Sequence, residues 1–354
     1  MAATERGLDA PATTRNRGLG TPTVADLNNW SKLVAEFNAL GGKVKNVLCR
    51  RCPHGQGLFV IDPSKQVEID IPEKLLVQSE HVALLDGYPC IVGDVELPDG
   101  YIGWFHSYQK QFGWTEQTRA SLDKFERGLT QLPVQSLRML ESMGLLNLEH
   151  RHQGPWQDVI FRQYVHTRSL LYYGRRVIIP IADMVNHHPL ARPYQIFSGV
   201  RIQGLFHDEV LTCYNESDPL GRFFKRGFPS AEPRAYRYPA ALPIDRDQRR
   251  AHIPPEHHGY RISASAMTQE RADHAKHKRI EAVALAHGHN SSHRHYSGCD
   301  LNELYDDVHR INHYQLCQLF DSLSGFQSPC AKGLRQAIIY QLKALDRCVR
   351  VIVY

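Results

Sequence analysis

A chain of 354 residues, 42% of them hydrophobic, has room for one large domain or two ordinary ones with a sizeable buried core. No apolar run approaches the roughly 20 residues of a membrane span, so the sequence predicts a soluble protein with no membrane partner. A formal charge of +5, thinly spread, permits acidic partners and argues against nucleic acid as the main one.

Residues 1–23 are rich in Ala, Thr, Gly and Arg, lack an apolar centre and carry Glu5 and Asp9. They predict a disordered tail rather than an organelle transit peptide. Eight scattered cysteines without a signal peptide predict reduced thiols in an intracellular setting, the cytoplasm ahead of an organelle or the nucleus. Residues 24–40 place Leu27, Trp30, Leu33, Val34 and Phe37 on one helical face, and Gly41-Gly42 ends that helix. A strand is expected over 44–48. Cys49 and Cys52 form a lone CxxC without two further ligands at similar spacing, so two ordinary thiols and no metal are expected.

Gly55-Gln56-Gly57 then precedes the apolar run Leu58-Phe59-Val60-Ile61. Glycines there let backbone amides come close to a ligand, or simply make a hairpin turn. Residues 67–72 alternate apolar and polar side chains up to Pro72 and predict a half-buried strand. Between 77 and 162 the character turns helical, with Leu122, Phe125 and Leu129 on one face and Leu137 and Leu140 on the next, before Gly144. Residues 161–173 continue as a helix that carries Arg168.

The run Val177-Ile178-Ile179 leads through Pro180 and Asp183 into the polar corner Asn186-His187-His188-Pro189. This reads as a buried strand entering a turn. Tyr214 closes the next apolar strand, Val210-Leu211-Thr212-Cys213, and Arg226-Gly227-Phe228 follows. Residues 229–255 are loop-like. His287, His289, His293, His295 and Cys299 sit among Gly, Asn and Ser, which favours a linker over a metal site. Asp300 can cap a helix striped by Leu304, Val308 and Ile311, and a last helix carries Leu334, Ile338, Leu342 and Leu345.

Three blocks in this order, His54-Gly55-Gln56-Gly57-Leu58-Phe59, Asn186-His187, and Tyr214 followed by Gly227-Phe228, resemble the SET-domain protein methyltransferases. The branch typified by the large-subunit RuBisCO lysine methyltransferase is the most similar. The resemblance implies an α+β fold of short strands split by a helical insert at 77–162. It places the SET-like part at 24–228, a loop-rich linker at 229–299 and a small helical unit at 300–354. It further implies S-adenosyl-L-methionine as the methyl donor and a lysine of a non-histone protein as the acceptor.

In that resemblance Tyr214 is the catalytic residue. His54, Gly55, Gln56, Arg168, Asn186 and His187 hold the donor. Asp183, Tyr194 and Arg226 line the acceptor channel. The chemistry matches these residue types. A lysine amine, with an unperturbed pKa of about 10.4, must lose a proton before it can attack. A narrow channel must align it and exclude water. Carbonyls and a tyrosine hydroxyl can hold a polarised methyl group through weak CH···O contacts.

Two positions depart from the family. Arg226 stands where a tyrosine usually lines the acceptor pocket, and His54 stands where an acidic residue is common. These leave two alternatives open: a catalytically inactive SET-like interaction module, and an altered acceptor such as histidine. A hydrolase built on His187 and His188 would need a nucleophile motif such as G-x-S-x-G, which is absent.

Overall fold

The computed structural model describes residues 23–52, 55–214, 218–231, 235–237, 242–246, 249–253, 259–261, 281–282 and 301–346. The N-terminal tail, His54, the histidine-rich stretch 287–295, Cys299 and Asp300 lie outside those residues.

Helix α1 (Val24–Ala39) opens on a capping box, in which Thr23 accepts from the Asp26 amide and the Asp26 carboxylate accepts from Thr23. Trp30, Leu33 and Phe37 form its buried stripe. The strand expected next is broken in two, β1 (Lys43–Lys45) and β2 (Val47–Cys52). Asn46 between them has φ 61°. Asparagine tolerates this left-handed geometry, and its amide bonds the Asp62 backbone at both ends, each at 2.8 Å.

β2 pairs with β3 (Gly55–Val60). The alternating segment forms β4 (Val67–Pro72), buried at every second residue as its pattern requires. It is central in an antiparallel sheet of order β1-β4-β12-β11, where β11 is Gln195–Ile196 and β12 is Gly199–Gly204. β5 (Val77–Gln78), β8 (Ser169–Tyr172) and β9 (Arg175–Ile178) make a three-stranded sheet, and β6 (Val82–Leu85) pairs with β7 (Tyr88–Ile91). The stretch 77–162 therefore begins with strands.

Five helices follow: α2 (Tyr101–Tyr108), α3 (Glu116–Thr130), α4 (Val134–Ser142), α5 (Leu148–Arg151) and α6 (Trp156–Arg168). The helix expected over 161–173 stops at Arg168, and Ser169 turns directly into β8. No Gly or Pro marks that break; it comes from Leu170 and Tyr172 burying their side chains as strand residues against β9. β10 (Asn186–His187), β13 (Leu211–Thr212) and α7 (Pro219–Arg226) complete this part.

The segment read as loop-like carries short strands: β14 (Ala235–Arg237), β15 (Leu242–Arg246), β16 (Arg249–Ile253), β17 (Gly259–Arg261) and β18 (Glu281–Ala282). Two long helices close the chain, α8 (Leu301–Ser322) and α9 (Pro329–Asp346). The architecture is α+β, with short strands and a helical C-terminal region.

Among the described residues two large apolar cores form, beside a small cluster of Trp114, Ile160 and Tyr164. One joins α1, α2 and the strands around Ile69, Ile178 and Val200. The other packs α3, α4 and α7 against α8 and α9 through Leu129, Phe223, Leu319 and Leu334. A buried ion pair supports the second core: Arg151 donates two bonds to fully buried Glu126, at 2.7 and 2.8 Å, and a third to the Phe224 carbonyl at 3.1 Å. It ties α3, α5 and α7 together. Among the described residues, no helix is long and apolar enough to cross a membrane.

Candidate active site

The site is built by a strand that runs between two others. The Val60 amide donates to the Asp208 carbonyl and the Val210 amide to the Leu58 carbonyl, both at 2.8 Å, so residues 208–210 lie along β3. The next residues, β13, pair in parallel with β10, with Asn186 opposite Leu211 and His187 opposite Thr212. The pairing continues as the His188 amide donates to the Thr212 carbonyl at 3.0 Å. A parallel pair needs a long connection, supplied here by the loop carrying β11 and β12. The glycine-rich start of β3, the Asn-His corner and the strand ending at Tyr214 are thereby brought side by side.

Tyr214 leaves this strand facing the corner. Its amide donates to His187 Nδ1 at 3.3 Å, and its hydroxyl donates to the Val185 carbonyl at 2.8 Å. The His187 and Tyr214 rings lie 5.1 Å apart, and Phe228 stands 6.0 Å beyond His187. Burial raises the Tyr214 phenol above its ordinary range, against the pull of Arg226, Arg168 and Arg222. The hydroxyl is therefore protonated at neutral pH and acts as a donor.

Asn186 is fixed by its amide nitrogen, which donates to Glu209 Oε1 at 2.6 Å and reaches Cys52 Sγ at 3.4 Å. Gly57 allows this bond. A Cβ there would lie 2.8 Å from both Asn186 Nδ2 and Glu209 Oε1.

Asp183 arrives on a single 3-10 turn, Ala182–Met184, that follows Ile181 at φ 71°. A β-branched residue in that conformation is strained, at a cost on the order of 1–3 kcal/mol. The Asp183 carboxylate is buried. Its Oδ1 accepts from the Tyr108 hydroxyl, while Oδ2 has no hydrogen-bond partner among the described residues. Burial pushes its pKa up to about 6, with Arg168 and the Tyr108 bond pulling the other way. Arg168 donates through Nη1 to the Asp183 main-chain carbonyl at 2.5 Å. Burial disfavours its charge, but Asp183 and the neighbouring tyrosines outweigh that and raise its pKa.

Arg226 ends α7. Asp218 caps that helix, Pro219 occupies its first turn and Gly227 follows at φ 82°. The guanidinium donates to the carbonyls of Thr167 and Ser169 and lies 4.6 Å from the centre of the Tyr214 ring. Its Nε is buried without a hydrogen-bond partner among the described residues. Burial lowers its pKa to about 10.

One cavity of about 490 Å³ collects these groups. Gly55, Gln56, Arg168, Asp183, Asn186, His187, Tyr214 and Arg226 all line it, so eight of the ten residues singled out in the sequence meet in one place. Tyr194 does not line it. It stands behind Tyr214, their rings parallel at 6.3 Å, with its hydroxyl donating to the Ala182 carbonyl at 3.5 Å. His54 lies outside the described residues.

Further wall residues had no signal in the sequence. Gln117, Thr118 and Ser121 come from α3, and Thr167 from α6. Polar residues on an amphipathic helix look the same whether they face solvent or a cavity. Tyr108 and Glu209, which hold Asp183 and Asn186, were equally unmarked. Among the described residues no group of His, Cys, Asp and Glu is placed to hold a metal, and Cys49 and Cys52 are buried.

Neither a family model nor a curated protein sequence matches the chain. It is similar to a SET domain of known structure. That structure is the SET domain of LSMT bound to lysine and AdoHcy; the match has 13% identity, covers 92% of this chain and 91% of that one, and has a TM-score of 0.40.

Proposed function

We propose that the chain is an S-adenosylmethionine-dependent protein methyltransferase of the SET-domain class, related to the RuBisCO lysine methyltransferase branch, with a lysine of a non-histone protein as acceptor. One observation carries this reading. The glycine turn, Arg168, the Asn-His corner and Tyr214, far apart in sequence, converge on one cavity through a threaded parallel strand pair.

The cavity wall suits the methyl donor. Gln56 Oε1 is a buried acceptor without a partner among the described residues, and a ligand ammonium can satisfy such a group. Asn186 commits its nitrogen to Glu209, which leaves its oxygen as a further acceptor. Arg168 keeps donors beyond the one given to Asp183 and can hold a carboxylate. When bound, the donor supplies an electrophilic methyl group on a sulfonium.

The chain's own residues do the rest. The Tyr214 hydroxyl, pinned by the Val185 carbonyl and kept protonated by burial, supplies an oriented oxygen beside the reacting centre. Asp183, ionised above about pH 6, attracts the incoming ammonium. Arg226 and Arg168 then favour the neutral amine over the ammonium next to Tyr214, since like charges disfavour protonation. Burial keeps water from the line of attack.

In this reading residues 24–228 form the catalytic unit and the helical unit at 300–354 helps to bind the protein substrate, in an intracellular and first of all cytoplasmic setting. A second reading, an inactive module of the same fold, is favoured by one contact: the Arg226 guanidinium covers the Tyr214 ring where an acceptor cation would otherwise rest. Incubation with a tritiated methyl donor and a cell lysate separates the two. Label in methyl-lysine supports the enzyme, label in methyl-histidine identifies the altered acceptor, and donor binding without any label supports the inactive module.

A further inference from the structure

Beside the cavity lies a group of cations that no carboxylate among the described residues neutralises. Arg226 reaches from α7 to the Ser169 carbonyl at 3.5 Å, and Arg176 on β9 reaches the Ser169 hydroxyl at 3.4 Å, so two guanidiniums meet on one residue. Gln163 on α6 donates to the Lys225 carbonyl at 3.1 Å, which holds the end of α7 against α6. Half-buried Lys225 is thereby set near half-buried His166.

The charges weigh on one another. Burial first, then Lys225, Arg176 and Arg226, lower the His166 pKa to about 3. Burial, then Arg226 and Arg176, lower that of Lys225 to about 8. Among the described residues no carboxylate is in ion-pair contact with Arg176, Lys225 or Arg226. Natural surfaces usually intersperse opposite charges, so cations gathered without a carboxylate in contact suit an anionic partner.

The surroundings favour a peptide over a small anion. In the β8–β9 hairpin Leu171 stands opposite Arg176 and is 65% exposed. At the turn Tyr173 is 73% exposed, and its hydroxyl donates at 3.2 Å to the carbonyl of Phe197, itself 71% exposed. Arg175 and Arg176 are exposed on the same hairpin. Large apolar side chains beside a basic cluster match a segment that alternates acidic and apolar residues. Arg226 and Thr167 belong both to this face and to the cavity wall, so a segment bound here runs to the cavity mouth.

We infer that the β8–β9 hairpin and the adjoining ends of α6 and α7 form a docking surface for an acidic segment of the acceptor protein, next to the residue that is methylated. This rests on the methyltransferase reading for the identity of the partner as an acceptor, while the docking itself is measurable without turnover.

The test is fluorescence anisotropy on the full chain with a labelled peptide of about a dozen residues, Glu- and Asp-rich with interspersed Leu and Tyr and a single Lys. The control replaces each acid with Lys. The acidic peptide is expected to bind at least about tenfold more tightly than the control, and to lose about tenfold in affinity when salt shortens the screening length from about 30 to about 8 Å. Arg176→Glu, an exposed change, is expected to weaken it about tenfold without altering the thermal midpoint or donor affinity. Arg176→Glu with Lys225→Glu is expected to weaken it further. Equal binding of both peptides, or an unchanged affinity in folded Arg176→Glu, overturns the inference. So does tighter binding of a single-stranded oligonucleotide that is lost in the same variant. Acidic-peptide binding that persists while the donor fails to bind retains the docking surface and removes the methyltransferase reading instead.

Discussion

Replacing Asp183 with Asn removes the one cavity carboxylate whose pKa is pushed up to about 6 from an ordinary 3.8. The native state therefore holds this proton more tightly than the unfolded chain does. Below about pH 4 both states are protonated and the group has no effect on stability. As pH rises from about 4 to about 6 the unfolded chain releases the proton first, so native stability falls, and above about pH 6 the full cost is present. A shift of roughly two units corresponds to about 3 kcal/mol, at about 1.4 kcal/mol per unit. Between about pH 4.5 and about pH 7.5 roughly 2 kcal/mol of it develops. Asn keeps an oxygen to accept from Tyr108 but cannot ionise. Urea unfolding of wild type and Asp183→Asn at both pH values reads the effect. The variant is expected to gain about 2 kcal/mol relative to wild type from the acid to the neutral condition. Parallel pH profiles for the two proteins would refute the buried, strained placement of this carboxylate.

Four further outcomes are expected. Tyr214→Phe keeps the ring against Tyr194 and His187 but orphans the Val185 carbonyl; melting is expected to show a loss of about 1 kcal/mol, and methyl transfer a fall of about 100-fold or more with donor affinity unchanged. Asn186→Ala should weaken donor binding by about 1–3 kcal/mol in calorimetry, because it removes an acceptor and leaves Glu209 without this bond. Gly57→Ala should also weaken it, since the new methyl displaces the Asn186–Glu209 pair, and a crystal structure should show that pair moved. Glu126→Ala leaves the Arg151 guanidinium unpaired between α3, α5 and α7, and denaturant unfolding should show a loss of about 3–5 kcal/mol.

Much of the local structure was readable because it follows from periodicity and caps. The alternation over 67–72 gives a strand buried at every second residue, and the stripe of Trp30, Leu33 and Phe37 gives α1. Other features depend on partners distant in sequence. The end of α6 at Arg168 has no breaker residue and is set by β9, which takes the following residues as strand. The pairing of β10 with β13 spans the whole β11–β12 loop, and no local pattern encodes it. The role of Glu209 follows from that threading, and that of Tyr108 from the packing of α2 beside the Asp183 turn. α7 is a different case: Asp218, Pro219 and Gly227 mark its start and end in the sequence itself. Arg226 lines the cavity, yet its guanidinium turns onto backbone carbonyls and the Tyr214 ring, a geometry that residue type alone does not specify.

The central claim is that the convergence at Tyr214 transfers a methyl group to a protein side chain. The most direct measurement is transfer from a tritiated methyl donor to lysate proteins by the wild-type chain and by Tyr214→Phe, followed by amino-acid analysis of the labelled band. The account predicts label in methyl-lysine with wild type and about 100-fold less with the variant. Donor binding by both proteins with no label above the variant's background in either would contradict it.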